Sequence, residues 1–179
     1  MPEPIDVGID GTFLIPLTAH PDERGQVAEM FRRSWIPGMR EVLQANLSVS
    51  RPGVLRGLHV HRRQADYWTL LTGSAFVGLF DPRTNSPTEG KKAELELTAD
   101  DLRCLYIPKG VAHGFYTAGG VLLQYLVDEY YTGKDEFGIA WDDPDVGIAW
   151  PASDPVLSER DRSNGSLREF LRGAAGDGG

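Results

Sequence analysis

Two stretches decide the fold of this chain: GVLRGLHVHRRQADYWTLLTG over Gly53–Gly73 and LYIPKGVAHGF over Leu105–Phe115. Together they contain three of the four histidines. His59 and His61 stand one residue apart in the first stretch, and His113 lies near the end of the second. Imidazole transfers protons near neutral pH and also binds metal ions. We therefore expect the two stretches to build a site with one of these two kinds of chemistry.

The spacing of these histidines resembles the two-part signature of cupins, small jelly-roll barrels that hold a site in the barrel mouth. The scattered 21 glycines and 12 prolines also suit many short strands joined by turns. We predict an all-β fold, a cupin-type jelly-roll barrel with a few short helices near the C-terminus. Residues 1–172 are expected to form one domain, followed by a disordered tail over 173–179.

Apolar and alternating runs separated by turn signals predict the individual strands. The alternation is clearest in Ala93–Leu97, where acidic residues occupy every second position. A turn or two of helix is expected in Arg33–Leu43, and short helices in Ser153–Leu171, the last one starting with a capping box at Ser166. The predicted strands are Thr12–Leu17, Gln26–Phe31, Gln44–Ser50, Asp66–Leu71, Ala75–Phe80, Lys92–Thr98, Cys104–Ile107 and Val121–Tyr130.

Composition restricts the class of partner. The 179 residues are 41% hydrophobic and carry a formal net charge of −8, which argues against broad binding to nucleic acid or to an anionic membrane. The single cysteine, Cys104, excludes an intramolecular disulfide. The first residues lack the pattern of a signal peptide, and no apolar run reaches the ~20 residues of a membrane span. We expect a soluble cytoplasmic protein.

Ordered blocks along nearly the whole chain, from about residue 11 to 168, resemble the dTDP-4-dehydrorhamnose 3,5-epimerase family of nucleotide-sugar epimerases. That resemblance implies a jelly-roll barrel, usually a homodimer, that acts without a cofactor on a dTDP-linked 4-keto-6-deoxy sugar in deoxysugar biosynthesis. The blocks are Asp22-x-Arg24-Gly25, Glu29-x-Phe31, Gln44-x-Asn46, Arg56-Gly57-Leu58-His59, Ile107-Pro108-x-Gly110-x-Ala112-His113-Gly114-Phe115, Glu129-Tyr130-Tyr131, Gly138-Ile139-x-Trp141-Asp142-Asp143-Pro144, Gly147-Ile148-x-Trp150-Pro151 and Leu157-Ser158-x-x-Asp161.

The resemblance implies roles for three catalytic residues. A ketone at C4 acidifies the protons on C3 and C5, so epimerisation needs a base, an acid on the opposite face and a partner for the enolate oxygen. By the resemblance, His59 is the base, Asp161 orients it, and Tyr131 is the acid. The residues implied to contact substrate are Arg24 and Arg56 at the diphosphate, His113 near the keto oxygen, and Glu29, Phe31, Gln44 and Asn46 around the nucleotide and sugar.

Two residues depart from the family pattern. Family members usually have Gln at the position of His61 and Lys at that of Asp66. An aspartate there would repel a developing enolate, so another partner is needed, either His113 or a protonated His61. We therefore expect epimerisation at one centre or at both, on a sugar that the sequence does not specify.

The same departures leave two alternatives open. His59, His61, Asp66 and His113 together form a donor set suited to Zn, Mn, Fe or Ni. His59 would then be a ligand and not a free base, so a metal-binding cupin enzyme is the alternative to the metal-free epimerase. The second alternative is a cupin that binds a nucleotide sugar and does not catalyse its conversion.

Overall fold

The computed structural model describes residues 2–176 and is built almost entirely from antiparallel strands. All strands except the β3–β4 hairpin belong to one ten-stranded sheet that folds back on itself. The strands are β1 (Ile5–Asp6), β2 (Phe13–Pro16), β3 (Ala19–Asp22), β4 (Gly25–Ala28), β5 (Gln44–Ser50), β6 (Val54–Val60), β7 (Asp66–Phe80), β8 (Lys92–Thr98), β9 (Arg103–Ile107), β10 (Ala112–Thr117), β11 (Val121–Val127) and β12 (Phe137–Gly138).

The long strand β7 joins the two layers of the barrel. Its first half pairs with β9 and β11, which gives the first layer the order β1-β2-β9-β7-β11-β5. Its second half pairs with β8 and β10, which gives the second layer the order β8-β7-β10-β6-β12. Gly73 lies where the pairing changes, with φ of +79°, and a Cβ there would stand 2.2 Å from the carbonyl oxygen of Gly120. Only glycine fits this crossing.

Successive side chains of a strand point to opposite faces of the sheet. One hydrophobic core therefore lies between the two layers, and a further hydrophobic cluster lies on the outer face of each layer. Along β7, Trp68 and Leu70 point into the inner core. Tyr67 points to the outer face of the first layer, where it packs with Ile15, Trp35, Ile36, Met39 and Cys104. The outer face of the second layer is covered by the C-terminal segment, whose buried residues there are Ile139, Val146, Ile148 and Leu167. The inner space near β5, β6 and β10 is left for polar side chains.

Two short helices, α1 (Glu159–Arg162) and α2 (Leu167–Gly176), follow the last strand. The predicted capping box of α2 is confirmed, since the Ser166 amide donates to Glu169 Oε2 at 2.7 Å and the Glu169 amide donates to Ser166 Oγ at 3.3 Å. In residues 2–176 we find no helix with both the length and the apolar character that crossing a bilayer requires.

Asp143 fastens the start of α2 to the turn beneath it. This buried carboxylate accepts the amides of Asp145 at 2.8 Å, Val146 at 3.3 Å and Leu167 at 2.8 Å. The run Asp142-Asp143-Pro144-Asp145 therefore serves turn and helix geometry.

Replacing Asp143 by alanine is expected to lower the free energy of unfolding by about 2–3 kcal/mol, because three amides lose a charged acceptor. Urea unfolding measures this. Asp142→Ala, next to it and exposed, is the matched control and should change stability by about 0.5 kcal/mol or less. Equal losses for the two variants would contradict this role for Asp143.

The predicted elements differ from the structure at a few places. Asp66–Leu71 and Ala75–Phe80 are halves of the single strand β7, because Gly73 bends the chain between layers without a turn. In Arg33–Leu43 the helix is only the 3₁₀ turn Arg33–Trp35, since Pro37 and Gly38 follow it. The jelly-roll prediction itself is confirmed.

The expected disordered tail over 173–179 needs correction where the structure describes it. Helix α2 continues to Gly176, because alanine, the strongest helix former, follows Gly173. Residues 177–179 lie outside the described part of the chain.

Candidate active site

A cavity of about 420 Å³ opens between the two layers at one end of the barrel. Strands β5 and β11 supply one wall and β6 and β10 the other, and the segments after β11 and in α1 form the rim. It is lined by Gln44, Asn46, Ser48, Arg56, His59, His61, Gln64, Asp66, Trp68, His113, Gly114, Phe115, Leu123, Tyr125, Tyr131, Glu136 and Arg160. Most of the residues that line it have polar side chains.

A local irregularity in β6 turns both Arg56 and His59 into this cavity. Residues three apart face opposite sides of a regular strand, yet both line the cavity. The pairing of β6 with β10 shifts register between His113 and Phe115, and Gly57 has φ of +128° beside Gly114. A Cβ on Gly57 would stand 2.7 Å from the Gly114 Cα, so glycine is required for this close approach.

His59 is paired with a buried carboxylate from α1. Its Nε2 lies 2.7 Å from Asp161 Oδ1, and the two side chains are 25% and 4% exposed. Ser158 positions Asp161, because the Ser158 hydroxyl oxygen accepts the Asp161 amide at 3.0 Å at the start of α1. Burial alone would raise the pKa of Asp161, but hydrogen bonds from His59 and Ser158 and the charge of His59 lower it overall.

This pairing fixes the imidazole in a form suited to proton transfer. A carboxylate accepts, so Nε2 of His59 carries the hydrogen that it donates to Asp161. In the neutral ring Nδ1 then holds the free lone pair. Once Nδ1 takes up a proton, the Asp161 carboxylate stabilises the cation, as in any buried His–Asp pair.

The other two histidines meet a second buried carboxylate, that of Asp66. His113 Nε2 lies 3.3 Å and His61 Nε2 lies 3.8 Å from Asp66 Oδ2. Burial raises the pKa of Asp66 to about 6, against the lowering effect of His61 and of an amide hydrogen bond from Gln64. Burial, together with the charges of His61 and His59, holds the pKa of His113 well below its ordinary value. His113 is therefore neutral at physiological pH.

Tyr131 stands at the rim, 65% exposed, while its side chain also lines the cavity. Its amide donates to Gln44 Oε1 at 3.1 Å, and its hydroxyl donates to Glu136 Oε2 at 3.4 Å. Arg160 Nη1 donates to the same Glu136 oxygen at 2.9 Å. The neighbouring Tyr130 is 63% exposed and does not line this cavity.

Two further expected residues lie on the wall opposite the histidines, and a third, Arg56 of β6, reaches across to that wall. Gln44 and Asn46 lie on the inward face of β5, and Gln44 Nε2 donates to Asn46 Oδ1 at 2.8 Å. Arg56 Nε donates to Ser50 Oγ at 2.9 Å. Arg56 Nη2 also donates to the Val49 carbonyl oxygen at 3.5 Å, which leaves Nη1 of the guanidinium for an anionic ligand.

Three expected substrate residues lie outside the cavity of their own chain. Arg24 sits on the β3–β4 hairpin with its side chain 83% exposed and pairs with Asp22. Glu29 pairs with Arg32. Phe31 packs edge-on against Tyr67, with ring centroids 5.1 Å apart, in the outer core of the first layer.

Sequence reasoning missed several residues that shape the site. Glu136 and Arg160 join the rim through their ion pair at 2.9 Å. The carboxylate of Asp135 accepts the amides of Arg62, Arg63 and Gln64 at 2.9–3.2 Å and so holds the loop after His61. No sequence motif includes these charged side chains, so their roles had no signal in the sequence.

Comparisons with known proteins place the chain in a family. The family model described as dTDP-4-dehydrorhamnose 3,5-epimerase matches residues 6–169. This chain belongs to that family. A family member from Methanothermobacter thermautotrophicus is 36% identical over 174 residues, which cover 92% of this chain and 94% of that protein.

Two solved structures show the range of the family. A Legionella pneumophila 3,5-epimerase in complex with dTDP-4-keto-L-rhamnose is 32% identical with a TM-score of 0.87, covering 96% of this chain and 97% of that one. ChmJ, a 3'-monoepimerase from Streptomyces bikiniensis in complex with dTDP-quinovose, is 31% identical with a TM-score of 0.85, covering 93% and 88%. Family membership makes the chain an isomerase, and the comparisons give no support to a metal enzyme in place of an epimerase.

Proposed function

We propose that this chain epimerises a dTDP-linked 4-keto-6-deoxy sugar at C3, C5 or both, in deoxysugar biosynthesis. The observation that carries the proposal is the His59–Asp161 pair at the wall of a polar cavity, with the Tyr131 hydroxyl at the same cavity's rim. A base and an acid of different elements thus address one space, as inversion of a carbon centre demands.

The reaction divides into two proton transfers. His59 takes the proton from the carbon next to the ketone, and the C–H electron pair forms a C=C bond to C4 while the carbonyl oxygen becomes an enolate. The Tyr131 hydroxyl then gives its proton to the other face of the same carbon and the ketone reforms. Solvent returns a proton to Tyr131 and removes one from His59, so the enzyme ends as it began.

The proposal includes binding of the diphosphate by arginine. Arg56 lines the cavity and presents a planar fork that matches phosphate oxygens. Arg24 lies on an exposed hairpin away from its own cavity, so its expected contact with substrate requires a second copy of the chain. We therefore place Arg24, Glu29 and Phe31 in a homodimer in which the hairpin region of one copy approaches the site of the other.

Exposed apolar residues on β5 support the dimer. Leu47 and Val49 are 60% and 69% exposed on the outward face of this strand, whose inward face lines the cavity. Replacing Val49 by aspartate is expected to convert the dimer to a monomer, because a charge would be buried at the contact. Light scattering measures the mass. Leu171→Asp, on exposed α2, is the control and should stay dimeric. An unchanged mass for Val49→Asp would exclude β5 from the contact.

The deciding experiment is solvent exchange in deuterated water. Incubation with a dTDP-4-keto-6-deoxy sugar is expected to place deuterium at C3, C5 or both, which proton NMR assigns to each carbon. A boiled sample controls for spontaneous exchange. If the protein exchanges neither position in any 4-keto sugar nucleotide supplied, the proposal is wrong.

A further inference from the structure

Three ligand-type atoms converge behind His59 without belonging to the His59–Asp161 pair. They are Nε2 of His61, Nε2 of His113 and a carboxylate oxygen of Asp66, and all lie within 4.8 Å of one another. All three residues are buried and line the wall of the cavity. Strands β7 and β10, together with the residue that follows β6, bring them together.

Backbone carbonyls fix which nitrogen of each ring carries the hydrogen. Nδ1 of His61 lies 2.7 Å from the Asp135 carbonyl oxygen, and Nδ1 of His113 lies 3.0 Å from that of Val111. A carbonyl only accepts, so each Nδ1 is the donor and each neutral ring holds its lone pair on Nε2. Two ring nitrogens and one carboxylate oxygen therefore face one point, as the ligands of a metal ion do.

The shorter of the two separations from Asp66 matches that of two ligands on one ion, and the longer one is close to it. The Nε2–Oδ2 separations are 3.3 and 3.8 Å, and the longer one exceeds hydrogen-bond range. Two ligands about 2.0–2.2 Å from one tetrahedral ion are roughly 3.3–3.6 Å apart. Carbonyl acceptors on the far side of metal-bound imidazoles are also the usual second-shell arrangement.

We propose that His61, Asp66 and His113 bind one divalent transition-metal ion, with zinc, iron and cobalt as the fitting class. Two imidazoles and one carboxylate leave coordination positions open toward the cavity. This differs from the four-ligand set considered from the sequence, because His59 is held by Asp161 and remains a free base. Ion and base then occupy adjacent parts of one wall.

The role of the ion rests on the proposed epimerase function. A cation at this place would coordinate the C4 keto oxygen and stabilise the enolate that forms when His59 removes the adjacent proton. The ion would supply the positive charge that is lost because Asp66 stands where family members usually have lysine. Tyr131 still delivers the new proton, so the balance of the two transfers is unchanged.

The test is direct binding of Co²⁺ and Zn²⁺ to chelator-treated protein. Titration with Co²⁺ should produce a visible d–d spectrum that saturates at one ion per chain, and calorimetry with Zn²⁺ should give the same stoichiometry. Asp66→Asn and His61→Asn should each weaken binding by about 100-fold or more, since loss of a ligand exceeds the effect of losing its supporting partner. Circular dichroism confirms that at least one of the two variants is folded.

Two control variants test whether the other histidines of the chain contribute to ion binding. His59→Gln should bind Co²⁺ as the native chain does, and so should His20→Asn on the exposed hairpin. No saturable ion in the native chain, or equal loss of binding in His59→Gln and a folded Asp66→Asn, would overturn the proposal. Deuterium exchange is measured on the same samples. If the native chain catalyses exchange but binds no ion, the metal site is refuted and the epimerase function stands. If it binds an ion but catalyses no exchange, the epimerase function is refuted and the metal site stands.

Discussion

Replacing His59 by glutamine is expected to lower the rate of deuterium exchange into a dTDP-4-keto-6-deoxy sugar by about 10³-fold or more, within the usual range for a general base. Glutamine keeps a polar side chain of similar reach but cannot accept a proton from carbon. Because His59 lies at the cavity wall and Arg56 faces the opposite polar wall, the affinity for dTDP should change little. Proton NMR in deuterated water measures exchange, and calorimetry measures dTDP binding.

Asp161→Asn is the informative companion, because Asp161 acts through His59 and is a positioning residue. The change should lower kcat by about 10²-fold or more with little change in KM, since the amide can favour the wrong imidazole tautomer. The double variant should exchange no more slowly than His59→Gln alone, as expected for groups that act as a unit. Losses that multiply, or a fall in dTDP affinity equal to the fall in rate, would show that the pair holds the fold or the ligand.

Much of the fold could be predicted from local patterns in the sequence. The bounds of β5 and β8 match the predicted runs, because each alternates apolar or small with polar residues over its whole length, with one face exposed and the other partly buried. The prediction failed where tertiary contacts overrule local signals. Thr72-Gly73-Ser74 has the composition of a turn, yet the chain continues as one strand because each half of β7 finds partners in a different layer.

The candidate site was predictable to a similar extent. The family resemblance named His59 and Asp161, which are 102 positions apart and form a 2.7 Å contact. No sequence pattern could reveal that carbonyls of Asp135 and Val111 set the tautomers of His61 and His113, since every residue has a carbonyl. The position of Arg24 was equally hidden, because this residue lies away from the cavity of its own chain. Contacts made by backbone atoms or by a second copy leave no residue-type signature.

Replacing Gly73 by alanine is expected to lower the free energy of unfolding by roughly 3–5 kcal/mol, among the largest losses available to a single methyl group in this chain. A positive φ costs an alanine about 1–2 kcal/mol, and φ here is +79°. The added Cβ would also stand 2.2 Å from the Gly120 carbonyl oxygen and 3.2 Å from the Val121 Cα. Both are backbone atoms at the point where β11 begins and Val121 pairs with Gly73, so neither can move aside cheaply.

Gly90→Ala separates the two costs of the Gly73 substitution. Gly90 has nearly the same φ, +73°, but nothing lies within 4 Å of its added Cβ. This control should therefore lose only the conformational cost of about 1–2 kcal/mol, and the remaining difference measures the steric conflict at the crossing between the layers. Urea unfolding of both variants gives the two values. If Gly73→Ala is no less stable than Gly90→Ala, the close approach of β7 to Gly120 does not determine how the sheet folds back on itself, and the cavity between the layers must depend on other contacts.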